Sequence, residues 1–530
     1  MKQLRSLNII VFVLFFIVVL LPILFMFVGS FRADGRFSLD SYHELLLDHR
    51  QLGLLKNSLG LSMGTTCLSL VLGVPLAFFL LRSDLWGRKV FGALYLIPIL
   101  IPPYIHAIVW AHLLSKNGWI NQGLIRVFSL KEAPFNIYGL AGAIFVMTLA
   151  YFPFVTFMTI TGLKSIDRRT EEASLLHHGA LRTTTGVTLP LAAPHILCGA
   201  LFVFIFSIIN FGVPDILRLR VYPLEIFIQF AAYYNEKAAM ALSLPLVALT
   251  FLVVLLQKWY MKDRPYVSLT GGLEQARCYH LGNLKPYAFI FASLLLLLST
   301  ATPIFTLLQI AGPLSNYIKV LETTKAQLGY SIIMAVLGGL TMLFLGFFMA
   351  YFIEKTTGVA KGIGEFASLI PFAIPATVLG IGMIKVWNQS FTDFIYGSSL
   401  MIILGYVAHF IPFTIRIIGS SLKQLNPRLE EVASLVTNKR FRVMGRIVIP
   451  LIRPGLAAGF FIGFVLSLGD LGTTLLIMPP GRSTVPVKIY NLMHYGADQM
   501  VAALCLLLIG LILAFSWVFY LCYKRLARVY

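Results

Sequence analysis

The chain has 530 residues, 58% of them hydrophobic and only 12% charged, with a formal net charge of +20. A soluble protein of this composition would expose far more apolar surface than monomers normally carry, and runs such as 7–28 and 501–521 reach the ~20 apolar residues that cross a bilayer. The positive charge is scattered over short loops, so membrane topology accounts for it better than nucleic-acid binding does.

Hydropathy and turn signals predict twelve spans, at about 8–29, 58–81, 90–113, 139–162, 195–217, 238–257, 286–310, 329–353, 366–387, 398–420, 455–478 and 499–521. The first could pass for a signal peptide. Its apolar stretch is about 20 residues long, however, and no A-x-A site follows, so an uncleaved span is expected. An even number puts both termini on one side. Lys and Arg are in excess in the loops of that side, including Lys2, Arg5, Lys524, Arg525 and Arg528, which predicts cytoplasmic termini. Cys67, Cys198, Cys278, Cys505 and Cys522 show neither paired nor metal-like spacing, so inert thiols are expected.

The spans repeat. Ser58, Leu72, Gly73, Ala77, Pro98 and Pro102 correspond at one offset to Ser331, Leu345, Gly346, Ala350, Pro371 and Pro375. At a slightly smaller offset, Pro153, Leu163, Lys164, Glu171 and Glu172 correspond to Pro412, Leu422, Lys423, Glu430 and Glu431. The change of offset reflects a longer external loop near 115–138. The chain thus reads as an all-α polytopic membrane protein of two parallel six-span halves, 1–257 and 286–530, joined by a polar linker 258–285.

After spans four and ten come two similar stretches, EEASLLHHG from Glu171 and EEVASLVTN from Glu430. Asp167 and Asn426 are suited to helix N-caps, and Pro427 to the first helical position. The glutamate pairs follow in or just after the first turn, where the helix dipole favours negative charge. Ala173 and Leu176, and Val432, Leu435 and Val436, then form an apolar face. Gly179 and Asn438 are suited to a left-handed C-terminal cap. Each loop is expected to hold a helix of about three turns. A single one could be a solvated connector or could rest on lipid, but two copies fit a docking element for a two-fold cytoplasmic partner.

The segments EEASLLHHGALRTTTGVTLPLAAP and EEVASLVTNKRFRVMGRIVIPLIRP resemble the EAA loops of permease subunits in binding-protein-dependent ABC importers. The resemblance covers nearly the whole chain, with MetI-like modules of the type I importer kind at about 55–257 and 327–522. It implies that an ATPase subunit, in two copies, docks on Glu171, Glu172, Ala173 and Gly179 and on Glu430, Glu431, Ala433 and Asn438. It also implies an external (periplasmic or extracellular) binding protein, a bacterial inner-membrane location, and no cofactor held by this chain, ATP being used by the partner. The pattern departs at the glycine, which usually comes six residues after the EAA glutamate, whereas Gly179 comes seven after Glu172. Fused chains of this length resemble ferric-iron permeases most closely and thiamine permeases next. The segment LGTTLLIMPPGRSTVPVKIYNLMHYGADQMVAAL is similar to the end of the second module in iron(III) importers.

No G-x-x-x-x-G-K-[ST] phosphate cradle occurs, so no ATPase of that type is encoded here. LTGGLEQ at 269–275 has a faint likeness to the ATPase signature LSGGQ and reads more simply as a turn in the linker. Asn210 and Asp470, at equivalent positions inside spans five and eleven, and Asp215 near the outer end of span five are candidates for lining a translocation path. The alternative for them is a polar group satisfied by a neighbouring helix. Arg416 and Lys385 read as partners or snorkelling side chains. Prolines in YLIPILIPPYIHA and SLIPFAIPATVLGIG are expected to break spans three and nine. Two other classes stay open. A secondary transporter would need no paired docking helices, and a membrane-embedded enzyme would need clustered His, Asp or Glu that the spans do not show.

Overall fold

Proline governs the shape of the membrane helices in the computed structural model, which describes residues 2–33, 36–37, 42, 49–261, 278–437 and 440–527. Among these, nine helices are long and apolar enough to cross a membrane, and three bent pairs bring the number to twelve. Each corresponds to one of the predicted spans. The described residues are 83% helical. The part of the linker from 262 to 277, including LTGGLEQ, lies outside the described residues.

Four stretches wind as wide π turns: Phe16–Leu20, Thr184–Thr188, Leu297–Ala301 and Met444–Val448. Each ends two residues before a proline, at Pro22, Pro190, Pro303 and Pro450 respectively. A proline ring in a regular helix collides with the carbonyl four residues back and leaves it without a donor. A wide turn there moves that carbonyl aside, so the helix continues instead of breaking. Pro190 and Pro450 occupy matching positions of the repeat, 260 residues apart. Pro22 and Pro303 extend it to the first span of each half.

Helix His49–Arg82 runs through Pro75 and helix Leu140–Lys164 through Pro153, but two other proline-containing spans break. Helix pairs Arg88–Leu100 with Pro103–Phe128 and Gly358–Ala373 with Ala376–Trp387 bend by 93° and 109°. The corners are Ile101 and Ile374, both extended, the conformation favoured for a residue that precedes proline. The predicted break of spans three and nine is therefore a sharp corner in each half.

Span five begins earlier than expected and ends sooner, as Ala180–Ile208 rather than 195–217. The wide turn at 184–188 carries the helix through Pro190. Its counterpart bends by 77° between Phe441–Leu451 and Arg453–Gly469, next to Pro454.

The chain divides into two compact units. One comprises Leu46–Glu225 and Ala248–Gln309, and the other Met1–Leu45, Ile226–Val247 and Ile310–Tyr530. These cut across the two halves of the repeat, because the first span groups with the second half and most of span seven with the first. In the unit holding the first half, Gly73 lets helix His49–Arg82 approach helix Leu140–Lys164 closely. A Cβ at Gly73 would lie 2.9 Å from the Phe152 carbonyl oxygen. In the other unit, a Cβ at the repeat-related Gly346 would lie 2.9 Å from Thr414 Cγ2. Ser58 and Ser331 repeat a buried contact as well. Ser58 Oγ accepts the Tyr222 N–H at 3.0 Å, and Ser331 Oγ accepts the Val485 N–H at 2.8 Å. Each hydroxyl caps, from a distant span, a ten-residue helix (Tyr222–Ala231 or Val485–His494).

Candidate coupling loops and pathway residues

Both glutamate loops form a helix where the caps predict one. Asp167 accepts the Arg169 N–H at 2.9 Å and opens helix Arg168–Leu175. Asn426 accepts the Arg428 N–H at 3.1 Å and opens helix Pro427–Val436. The helices are shorter than three turns in the first loop and about that in the second, with eight and ten residues. Their ends differ from expectation. The first stops at Leu176 in a right-handed conformation, and Gly179, at φ −68°, is extended and starts the next helix, Ala180–Thr183. The second stops at Thr437, also without a left-handed turn. In the first loop no left-handed residue is needed, since Gly179 leads into helix Ala180–Thr183 at the base of the next span. Asn438 lies outside the described residues.

The two glutamates of the first pair face opposite ways. Glu171, expected to meet a partner, is fully buried and turned into the protein. Its Oε2 accepts from Arg82 Nη1 at 2.8 Å and its Oε1 from Thr188 Oγ1 at 2.9 Å. Arg82 Nη2 donates to the Leu163 carbonyl at 2.7 Å. A bare carboxylate buried there would be costly, and this set of donors satisfies it. Glu172 stays at the surface, paired with Arg168 at 2.8 Å. Beside it Ala173 is exposed, and Leu176 is 82% exposed.

The second loop repeats the arrangement with weaker chemistry. Glu430 is mostly covered, 2.6 Å from the Lys355 ammonium and 3.3 Å from the Tyr351 hydroxyl, which donates to it. Ala433, expected to contact a partner, is buried at the base of the helix because it faces the side on which Glu430 is held. Leu429 and Val432 are exposed instead, at 47% and 60%. Glu431 lies on the same helix, one residue beyond Glu430.

Asn210 and Asp470 occupy the ends of their spans rather than the interior. Helix Leu189–Ile208 stops just before Asn210, and helix Arg453–Gly469 stops at Asp470. Each side chain then starts a short helix. Asn210 Oδ1 accepts the Val213 N–H at 3.0 Å, while its Nδ2 donates to the Tyr151 hydroxyl at 3.2 Å. Asp470 Oδ2 accepts the Thr474 N–H at 3.0 Å. His409 Nδ1 stands 3.8 Å from Asp470 and 3.0 Å from Thr473 Oγ1. Both side chains thus cap the short helix that follows, and Asn210 also meets Tyr151 of a neighbouring helix. Asp215 is half-buried within helix Gly212–Ile216. Lys385 pairs with Glu236 near a span end, whereas Arg416 is exposed along helix Leu400–Lys423. Among the described residues there is no group of three or more His, Cys, Asp or Glu able to hold a metal ion.

The linker's attachment was not foreseen. Where the described chain resumes, Tyr279 N–H donates to the Arg82 carbonyl at 2.8 Å, and the Asp84 carboxylate gathers the Leu281 N–H at 3.0 Å, Lys285 at 2.9 Å and His280 at 3.3 Å. The Leu281 N–H first, then Lys285, hold the Asp84 carboxyl well below the usual carboxylate range.

Two copies of one sequence family cover most of this architecture. The model of the binding-protein-dependent transport system inner membrane component matches residues 69–300 and again 342–528. The chain belongs to this family. Each match contains one of the two loop helices. The permease is 26% identical over 549 aligned residues to a ferric transport system permease protein of Actinobacillus pleuropneumoniae, covering 97% of this chain and 77% of the relative. It is 24% identical over 475 residues to an Fe(3+)-transport system permease protein of Haemophilus influenzae, covering 87% of each. A molybdate/tungstate transport system permease protein of Pyrococcus abyssi is 27% identical over 243 residues, 45% of this permease but 88% of that relative. The last comparison fits a protein containing a single module of the pair found here.

Proposed function

We propose that this permease moves iron(III) inward across the membrane, receiving it from an external binding protein and driven by an ATPase seated on the helices Arg168–Leu175 and Pro427–Val436. The observation that carries the coupling part is the division of labour within the first loop. One acid is buried to hold the helix in place, while Glu172, Ala173 and Leu176 lie on a side of the helix that stays at the surface among the described residues. An exposed leucine beside an accessible ion pair is what a partner groove can bury. Iron(III) as substrate is supported by the ferric permease relatives, which align over nearly the whole chain where the molybdate/tungstate relative aligns over one module. Alternating access follows as the mechanism: ATPase closure pushes on the two loops and opens the path outward, and hydrolysis relaxes it inward. The excess of Lys and Arg on the side of both termini supports a cytoplasmic side for the loops, the termini and the ATPase.

The test is a Glu172→Lys, Glu431→Lys double variant expressed with its native ATPase. Membrane insertion should be unchanged, while ATPase co-purification and radio-iron uptake should both be lost. Normal uptake in this variant would refute the docking assignment. Uptake of another solute but not iron would refute the substrate.

A further inference from the structure

The buried ion pair Arg82–Glu171 joins several elements at the base of the first loop. Arg82 ends helix His49–Arg82, and the Leu163 carbonyl that it holds belongs to the last turn of helix Leu140–Lys164. Glu171 belongs to the loop helix, and Thr188, which donates to it, lies in the wide turn that leads into span five. Side-chain exposure is 1% for Arg82 and 0% for Glu171. Two span ends, the loop helix and the base of a third span thus converge on one charge pair.

The repeat places Lys355, Glu430, Leu422 and Val448 at the matching positions. Every change weakens the junction. Lysine offers a point charge where arginine offers a fork that can hold a carboxylate and a carbonyl together. Val448 is buried but has no hydroxyl to donate. The Lys355 ammonium approaches Glu430 Oε1 to 2.6 Å but lies off the hydrogen-bonding direction. The two side chains are 35% and 17% exposed, so the pair is held less deeply than Arg82–Glu171. The nearby pair Lys423–Glu354 at 3.4 Å joins two span ends without engaging the loop helix.

We propose that Arg82 is a positioning residue that latches the first coupling helix rigidly to its spans, and that the Lys355–Glu430 counterpart is compliant, so the two loops transmit ATPase motion unequally. The inference rests on the coupling reading above. A buried pair deprived of one partner leaves an uncompensated charge, so the first helix cannot shift without carrying Arg82 and both span ends along. A partly exposed pair can lengthen at little cost. The asymmetry is a property of one fused chain, in which the two junctions can diverge independently.

The experiment compares Glu171→Gln, Arg82→Lys, Arg82→Met, Glu430→Gln and Lys355→Met in the full chain. Each is purified with its native ATPase, checked for monodispersity, and reconstituted in proteoliposomes with the external binding protein and ferric iron. Three quantities are read: ATPase bound per permease, ATP hydrolysed, and iron transported per ATP. Glu171→Gln should retain bound ATPase while iron per ATP falls about tenfold or more, as expected when a buried charge loses its partner. Arg82→Lys should recover part of the ratio lost in Arg82→Met. Glu430→Gln and Lys355→Met should stay within about fivefold of the parent, the scale of a partly exposed pair. Equal losses in the two loops, or an unchanged ratio in Glu171→Gln, would overturn the proposal. If Arg82→Met fails to fold, Glu171→Gln and Arg82→Lys still decide. Loss of bound ATPase in Glu171→Gln would show that the pair sets docking rather than transmission, and would also overturn it. Failure of the coupling reading is seen separately, as ATPase that stays bound to the Glu172→Lys, Glu431→Lys chain.

Discussion

Gly382 offers the sharpest test of how the first span is held. It lies in helix Ala376–Trp387, in the same compact unit as helix Leu21–Ser30. A Cβ built on Gly382 would stand 2.4 Å from the Pro22 carbonyl oxygen, 2.9 Å from its carbon and 3.0 Å from Met26 Cγ. Two of those three atoms are backbone and cannot rotate away, so alanine there must displace one helix from the other. Overpacking of this kind costs about 1–3 kcal/mol. Since ~1.4 kcal/mol is tenfold in an equilibrium constant, the docked population should fall about 5- to 150-fold relative to the undocked one. Amide hydrogen exchange over 21–30 in detergent micelles reads that opening equilibrium directly. Gly382→Ala should speed it by that factor. Gly92→Ala, where a Cβ meets nothing within 4 Å, should leave it unchanged. Identical exchange over 21–30 in the parent and Gly382→Ala would refute the close-approach argument.

Two other outcomes are expected. Asp470→Asn should keep radio-iron uptake near the parent level, because asparagine can still accept the Thr474 N–H and already stands at the equivalent position 210. Asp470→Ala should destabilise that turn by about 0.5–2 kcal/mol, read by denaturant titration, and loss of uptake in the asparagine variant alone would show that the charge itself matters. Asp84 has a carboxyl lowered on folding, so its contribution is fully present above the unfolded value of about 3.9 and fades only as pH falls through the lower folded value. Exchange at the Leu281 amide, corrected for the intrinsic rate, should therefore be the same at pH 5 and pH 7 and faster in Asp84→Ala. Unaltered protection in Asp84→Ala would refute the clasp.

The spans were legible because each is a long apolar run, and the corners at Ile101 and Ile374 because a proline follows each of them. The repeat was legible through Ser58, Gly73 and Pro98 and their partners, which recur for reasons of contact that the structure supplies. The N-caps Asp167 and Asn426 were legible because capping is local chemistry. What escaped notice is long-range. Arg82 and Glu171 are separated by 89 positions, and Asp84 and Leu281 by 197, so nothing in either neighbourhood announces the other. Adjacent glutamates also looked equivalent, although a helix turns neighbours about 100° apart and sent one inward and one outward. Residues 210 and 470 stand at span ends because the helices stop at Ile208 and Gly469, a boundary that hydropathy does not resolve. Gly179 was read as a stop signal when the chain simply runs on into another helix.

The grouping of the first span with residues beyond 310 bears on how the protein is made. Helix Ile9–Ser30 leaves the ribosome long before helix Leu314–Lys355 exists to receive it. During that interval it must wait in lipid with its buried face, including Phe15 and Val19, turned to acyl chains or to whatever holds nascent segments. The order of synthesis and the order of assembly are therefore different. A chain severed in the polar linker would yield an amino-terminal fragment carrying a helix that belongs elsewhere and a carboxy-terminal fragment lacking one that it needs.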